Sequence, residues 1–208
     1  TVFASVFDAE SIKILEKLKC PAYKIASPEI TDIPLIKEAA KTGKPIIIST
    51  GLANFKDIKL AYNTILKFNK NLIILKCTSA YPTKLEEVNL NTIFYLKKIF
   101  KCPIGFSDHT LGIDTPILAA AMGCNMIEKH LVEPGKKTVD SFFSLNDKNF
   151  TNMVSKIRTN EIAKGKISLN ISNSSLKNLN GRRSLYVVKK IKKGKKINKY
   201  NVRSIRPS

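Results

Sequence analysis

Histidine occurs twice in these 208 residues, at His109 and His130, and one stretch holds both: GFSDHTLGIDTPILAAAMGCNMIEKH, from Gly105 to His130. Neutral imidazole suits several divalent metals. The first histidine follows the apolar run Ile104-Gly105-Phe106, the second ends Met126-Ile127-Glu128-Lys129-His130, and an alanine-rich helical segment lies between them. That is strand, helix, strand. In a βαβ unit the two strands are parallel neighbours, so their C-terminal ends lie side by side. Side chains alternate along a strand, which puts Ser107 on the face of His109 and Glu128 on that of His130. The C-terminal rim of a parallel sheet is where α/β sites are built, so His109 and His130 form the expected metal site.

The elements that must position this pair recur along the chain. Short apolar runs at 2–6, 22–26, 45–49, 72–77, 104–106 and 126–130 read as strands, and the segments 9–18, 34–41, 55–68, 90–100, 115–122 and 145–164 as helices. Strands that are almost continuously apolar are buried on both faces, as in parallel sheets. The βα connections carry Pro28-Glu29, Ser49-Thr50-Gly51, Thr78-Ser79-Ala80-Tyr81 and Ser107-Asp108-His109, so polar chemistry gathers on one rim. The expected fold class is α/β: an incomplete (β/α)8 TIM barrel of about six βα units over residues 1–165, or else an open doubly wound sheet. Lys24, in a strand buried on both faces, has only the rim on which to place its ammonium.

Composition narrows the function. An apolar fraction of 43% is ample for a core. No 18-residue apolar run and no basic-then-apolar leader is visible, so the expectation is a cytoplasmic protein without a membrane span. Cys20, Cys77, Cys102 and Cys124 lack CxxC spacing and read as reduced, buried thiols. The formal charge of +20 is uneven, with 16 Lys and Arg against the single Glu161 after residue 150. Apart from Tyr186 and Tyr200 no aromatics interleave with that basic run to stack on bases, so nucleic acid is not an expected partner. Residues 166–181 read as a linker rich in Asn and Ser. Beyond it, Ser184–Val188 and Lys195–Ile197 flank Lys193-Gly194 as a hairpin, and one hairpin cannot make a core, so 182–208 is expected to be a piece of a small β domain.

In chain order, KIASPEITDIPLI, KPIIISTG, LKCTSAYP, GFSDHTLGI, IEKH, DSFFSL and GRRSLYVVKKIKKGKKI resemble the sialic acid synthase family, over essentially the whole chain. In that family a barrel dependent on Mn2+ or Mg2+ condenses phosphoenolpyruvate with an N-acylated amino sugar and releases phosphate. Two places resemble its pseudaminic acid branch: Ser79, where the sialic acid branch carries Asn, and DSFFSL, where that branch has His after the match to Asp140. N-acetylneuraminate and legionaminate synthesis are the alternatives. The resemblance also implies two further strands before Val2–Val6, a complete antifreeze-like (SAF) domain of which 182–208 is the start, and a homodimer in the full-length protein. The isolated 208 residues are therefore expected to have negligible synthase activity, and their unpaired strand edges to promote association.

Matching residue by residue, the resemblance implies that His109 and His130 hold the ion, which polarises the sugar aldehyde. Lys24 is the implied counter-charge for phosphoenolpyruvate, with hydroxyls from Ser49 and Ser107. Glu29 matches a carboxylate near the reacting sugar; Ser79 and Tyr81 line the phosphate or sugar; Asp140 matches a carboxylate that binds the amino sugar; and Arg206 matches an arginine delivered from the partner subunit's small domain. Two other readings compete. Lys24 is the Schiff-base residue of a class I aldolase, or the chain is an inactive partial copy of the fold.

Overall fold

Six short strands lie in sequence order across one parallel sheet: β1 (Ala4–Ser5), β2 (Tyr23–Ile25), β3 (Ile46–Ser49), β4 (Leu72–Cys77), β5 (Ile104–Asp108) and β6 (Ile127–Lys129). The computed structural model describes residues 2–207, and the chain divides into two compact units between Gly165 and Lys166. In the first unit, strands alternate with α1 (Ala9–Lys17), α2 (Ile33–Lys41), α3 (Phe55–Leu66), α4 (Leu85–Val88), α5 (Thr92–Ile99) and α6 (Asp114–Ala121), and α7 (Asp147–Lys164) closes it.

The sheet is curled, and one contact shows how far. Flat neighbours sit about 4.8 Å apart, so β2 and β6, four steps apart, would be separated by roughly 19 Å. Yet Lys24 Nζ in β2 lies 2.6 Å from Glu128 Oε1 in β6. The architecture is thus a parallel half-barrel rather than an open sheet, with both outer strands, among the described residues, paired on one side only.

Register assigns the two faces. Lys24, Ile47, Ser49, Leu75, Cys77, Gly105, Ser107 and Glu128 share the concave face. The alternate residues, including Tyr23, Ile25, Ile46, Ile48, Ile74, Ile104 and Phe106, point outward into a core shared with the helices. Helices α1, α2 and α3 start where the sequence provides an acceptor for free N–H groups. Asp8 accepts from Ser11 N, Asp32 from Leu35 N, and Asn54 with Asp57 forms a capping box.

Two expected elements shift. The last helix of the first unit begins at Asp147, capped by Asn146, because Leu145 is used to bring the chain back to β6: Leu145 N donates to His130 O, and Val132 N to Leu145 O. In the second unit, which also holds α8 (Asn173–Leu176), β7 (Ser184–Val187) pairs antiparallel with β8 (Val202–Ile205) and not with Lys195–Ile197. The tight turn at Lys193-Gly194 forms, but a second turn returns the chain: Asn198 Oδ1 accepts from Tyr200 N, and Asn201 Oδ1 from Asn198 N. These Asn-centred turns satisfy the backbone that a shorter hairpin would have paired.

Candidate active site

The two imidazoles meet. Ser107 pairs with Glu128 and Asp108 with Lys129 across β5 and β6, so the next residue of each strand, His109 and His130, brings ring centroids to 5.3 Å at an interplanar angle of 72°. His109 Nδ1 lies 2.9 Å from Thr78 O, which makes Nδ1 the protonated nitrogen and leaves Nε2 as the lone-pair donor. A ligating histidine ordinarily has its second nitrogen satisfied in this way. Burial pulls the His109 imidazole down, but hydrogen bonds to the Cys77 thiol and the Thr78 carbonyl outweigh it and the net direction is up. His130 is held low, first by burial and then by the charge of His109, which favours its neutral, ligating form. Asp140 Oδ2 stands 3.6 Å from His130 Nδ1, too long for a hydrogen bond. Tyr81 and Phe143 frame the pair, with Tyr81 4.4 Å from His109 and Phe143 4.9 Å from His130 between centroids.

This donor set fits a divalent ion only in part. Two imidazoles are suitable ligands, but among the described residues no group of three His, Cys, Asp or Glu is close enough to hold an ion. The remaining positions would fall to water or substrate, as in a catalytic rather than a structural site.

Beside the histidines the concave face carries an anionic and a cationic group in contact. Glu128 Oε1 accepts from Lys24 Nζ and from Ser107 Oγ, both at 2.6 Å. Besides Thr110 Oγ1, next to His109, two buried side-chain atoms have no hydrogen-bond partner: Ser49 Oγ and Glu29 Oε2. Buried polar atoms are almost always paired, so these two mark places for ligand atoms. Ser79 Oγ sits 4.0 Å from Cys77 Sγ, above Gly51, where an added Cβ would lie 2.2 Å from that hydroxyl. Among the sequence-predicted residues, Arg206 belongs to the second unit, where it follows β8 and is exposed.

Behind the histidines runs a brace. Asp108 and Lys129 point to the helix side, and their side chains form a fully buried ion pair at 2.6 Å. Asp108 Oδ1 also accepts from Thr110 N at 2.9 Å, and Lys129 Nζ donates to Thr110 O. The residue before His130 therefore grips both neighbours of His109. Sequence reasoning gave Glu128 a face but no role, read Cys77 only as a reduced, buried thiol, and assigned no role to Asp108, Lys129 or Phe143. The available signal was the pair of opposite charges standing one position before each histidine in otherwise apolar strands.

A sequence model described as the NeuB family matches residues 1–168. The chain belongs to the NeuB family. The pseudaminic acid synthase of Helicobacter pylori is 40% identical over 100% of this chain and 62% of its own length. That of Campylobacter jejuni serotype O:23/36 is 43% identical over 99% of this chain and 61% of its own. The chain thus spans about three-fifths of these relatives. Among solved structures, the N-acetylneuraminic acid synthetase of Leptospira borgpetersenii, in complex with citrate, is 32% identical with a TM-score of 0.79, over 85% of this chain and 62% of that one. The half-barrel is thus similar to part of that synthetase.

Proposed function

We propose that this chain carries the condensing site of a nonulosonic acid synthase, joining phosphoenolpyruvate to an N-acylated amino sugar, of the pseudaminic acid type, with release of phosphate. The observation that carries this reading is the pair of orphaned buried atoms, Ser49 Oγ and Glu29 Oε2, on the same rim as Lys24 and the paired imidazoles. One needs an acceptor and the other a donor, which is what an anion beside a polyhydroxylated sugar supplies. The likeness to pseudaminic acid synthases favours that sugar class, with legionaminate and N-acetylneuraminate synthesis as the alternatives.

In the proposed reaction C3 of phosphoenolpyruvate attacks the aldehyde carbon of the open-chain sugar, and the carbonyl electron pair moves to its oxygen, which gains a proton. Water adds at C2, the C2–O bond to phosphate breaks, and a 2-keto acid remains. Lys24 neutralises the phosphoenolpyruvate anion, while Ser49 and Ser107 donate hydroxyl hydrogen bonds to it. Glu29 exchanges a proton with, or binds, the sugar hydroxyls. Ser79 and Tyr81 line the phosphate or sugar, Asp140 binds the amino sugar, and Arg206 reaches the sugar of a partner subunit from an antifreeze-like domain in a homodimer. A divalent ion, Mn2+ or Mg2+, held by His109 and His130 would supply Lewis acidity toward the aldehyde. A cytoplasmic location is part of the proposal; among the described residues no helix is long and apolar enough to cross a membrane.

The aldolase reading is weaker because the Lys24 ammonium is engaged by Glu128 at 2.6 Å, and a Schiff base needs a free amine. Titration of the 208-residue chain with phosphoenolpyruvate tests the reading. Saturable binding that Lys24→Met abolishes and Ser49→Ala weakens supports it. Binding indifferent to both changes, or borohydride trapping of pyruvate on Lys24, overturns it.

A further inference from the structure

Two of the three donors expected to hold phosphoenolpyruvate, Lys24 and Ser107, are already occupied. Lys24 Nζ and Ser107 Oγ both donate to a single oxygen, Glu128 Oε1, at 2.6 Å. The lysine comes from β2, the serine from β5 and the glutamate from β6, so this one carboxylate spans the mouth of the half-barrel. The side chains are 15% exposed at Lys24 and 26% at Glu128, enough to shield the pair partly from water and open enough for exchange with a ligand.

We infer that Glu128 is an internal competitor for the substrate anion: its carboxylate occupies the anion subsite of the free protein, and phosphoenolpyruvate binds by displacing it from Lys24 and Ser107. This rests on the phosphoenolpyruvate reading. Three physical points carry it. An ammonium left without a counter-charge in a partly buried position is costly, and Glu128 removes that cost while the site is empty. A carboxylate and an incoming phosphate or carboxylate cannot share Lys24 without placing like charges within a few ångströms. Ser107 has one hydroxyl hydrogen, so it donates either to Glu128 or to the ligand.

The arrangement sets specificity. A ligand must outcompete an intramolecular carboxylate that is already in place, at high effective concentration. A monocarboxylate such as pyruvate offers Lys24 nothing that Glu128 does not. Phosphoenolpyruvate brings both a carboxylate and a phosphate, so it can take the lysine and the serine hydroxyls together, including the unpartnered Ser49 Oγ. Glu128 thus acts as a threshold that admits the doubly anionic substrate and rejects its dephosphorylated relative, a role in positioning and selection rather than in bond making.

The test is isothermal titration of the 208-residue chain in EDTA with phosphoenolpyruvate, inorganic phosphate and pyruvate, on wild type, Glu128→Gln, Glu128→Asp and Lys24→Met. The Gln variant is nearly isosteric and keeps an acceptor for Ser107. It should bind phosphoenolpyruvate about tenfold tighter, which is about 1.4 kcal/mol, and gain measurable affinity for pyruvate. The Asp variant, with the charge kept but its reach shortened, should show part of the same gain and serves if the Gln variant is misfolded. A structural role for Glu128 predicts the opposite sign, weaker binding. If both variants bind phosphoenolpyruvate no tighter than wild type while Lys24→Met abolishes binding, the competitor role is overturned and the phosphoenolpyruvate reading stands. If Lys24→Met binds like wild type, both fall.

Discussion

Replacing Lys129 by Met removes one half of a buried ion pair and leaves Asp108, whose side chain is 0% exposed, without its cation. Stranding one partner of a buried pair costs about 3–5 kcal/mol. The structure argues for the lower end. Asp108 keeps its bond from Thr110 N, and the buried Lys76 ammonium still acts on it through space, although Lys76 itself donates to Thr78 Oγ1. About 3 kcal/mol is a large part of an ordinary domain's stability, and at about 2–4 °C per kcal/mol for a chain of this size it lowers Tm by about 6–12 °C. The Asp108→Asn/Lys129→Met double variant removes the stranded charge while Asn retains the acceptor for Thr110 N, so most of the loss should return. Stability is read by urea denaturation, and the same samples are titrated with Mn2+ by electron paramagnetic resonance. In the double variant stability recovers but Mn2+ binds several-fold more weakly, because nothing then ties the chain flanking His109 to the residue before His130. A Lys129→Met variant within about 1 kcal/mol of wild type would refute the brace, and undiminished Mn2+ affinity in the double variant would refute its link to the histidines.

Ser49→Ala deletes a buried hydroxyl that has no partner, so thermal melts should show no loss of stability and a gain of up to about 1 kcal/mol, while calorimetry shows weaker phosphoenolpyruvate binding. Gly51→Ala would place a Cβ 2.9 Å from the backbone N of Ser79 as well as against Cys77 Sγ. Backbone cannot swing aside, so urea titration should report a loss of about 1–3 kcal/mol. Burial pushes the Cys102 and Cys124 thiols up to about 11 from an ordinary 9.0. The unfolded chain therefore releases protons first as pH rises, and stability should fall between about pH 9 and 11. Replacing both cysteines by Ala should flatten that part of a Tm-against-pH curve.

Much of the rim was legible because it depends on a period of two. The alternation in Phe106-Ser107-Asp108-His109 and in Ile127-Glu128-Lys129-His130 is enough to place both imidazoles and Ser107 on one face, and the βα connections signalled Glu29, Ser49 and Ser79 by their polarity amid apolar runs. The half-barrel itself was legible only as a count of strands. Its curvature brings together residues 104 positions apart, Lys24 and Glu128, a proximity that no local pattern encodes. The β7–β8 pairing was misjudged for a related reason: the Lys193-Gly194 turn is local, whereas the partner of β7 was decided by the side-chain bonds of Asn198 and Asn201 further along.

The period of two also explains why each histidine follows a charged residue. At each strand end one face does the chemistry and the other holds that face in place. Asp108 and Lys129 are buried against the helices, so their charges are neutralised by each other; His109 and His130 turn to the concave side, where the two rings meet. A slip of one residue in either strand would exchange the two roles, putting a bare carboxylate or ammonium at the mouth and an imidazole among the helices. Such a register would break the buried pair at the same time as it separated the histidines. The cost of losing the brace is thus also the cost of misplacing the site, and stability and ligand geometry at this rim are set by one register.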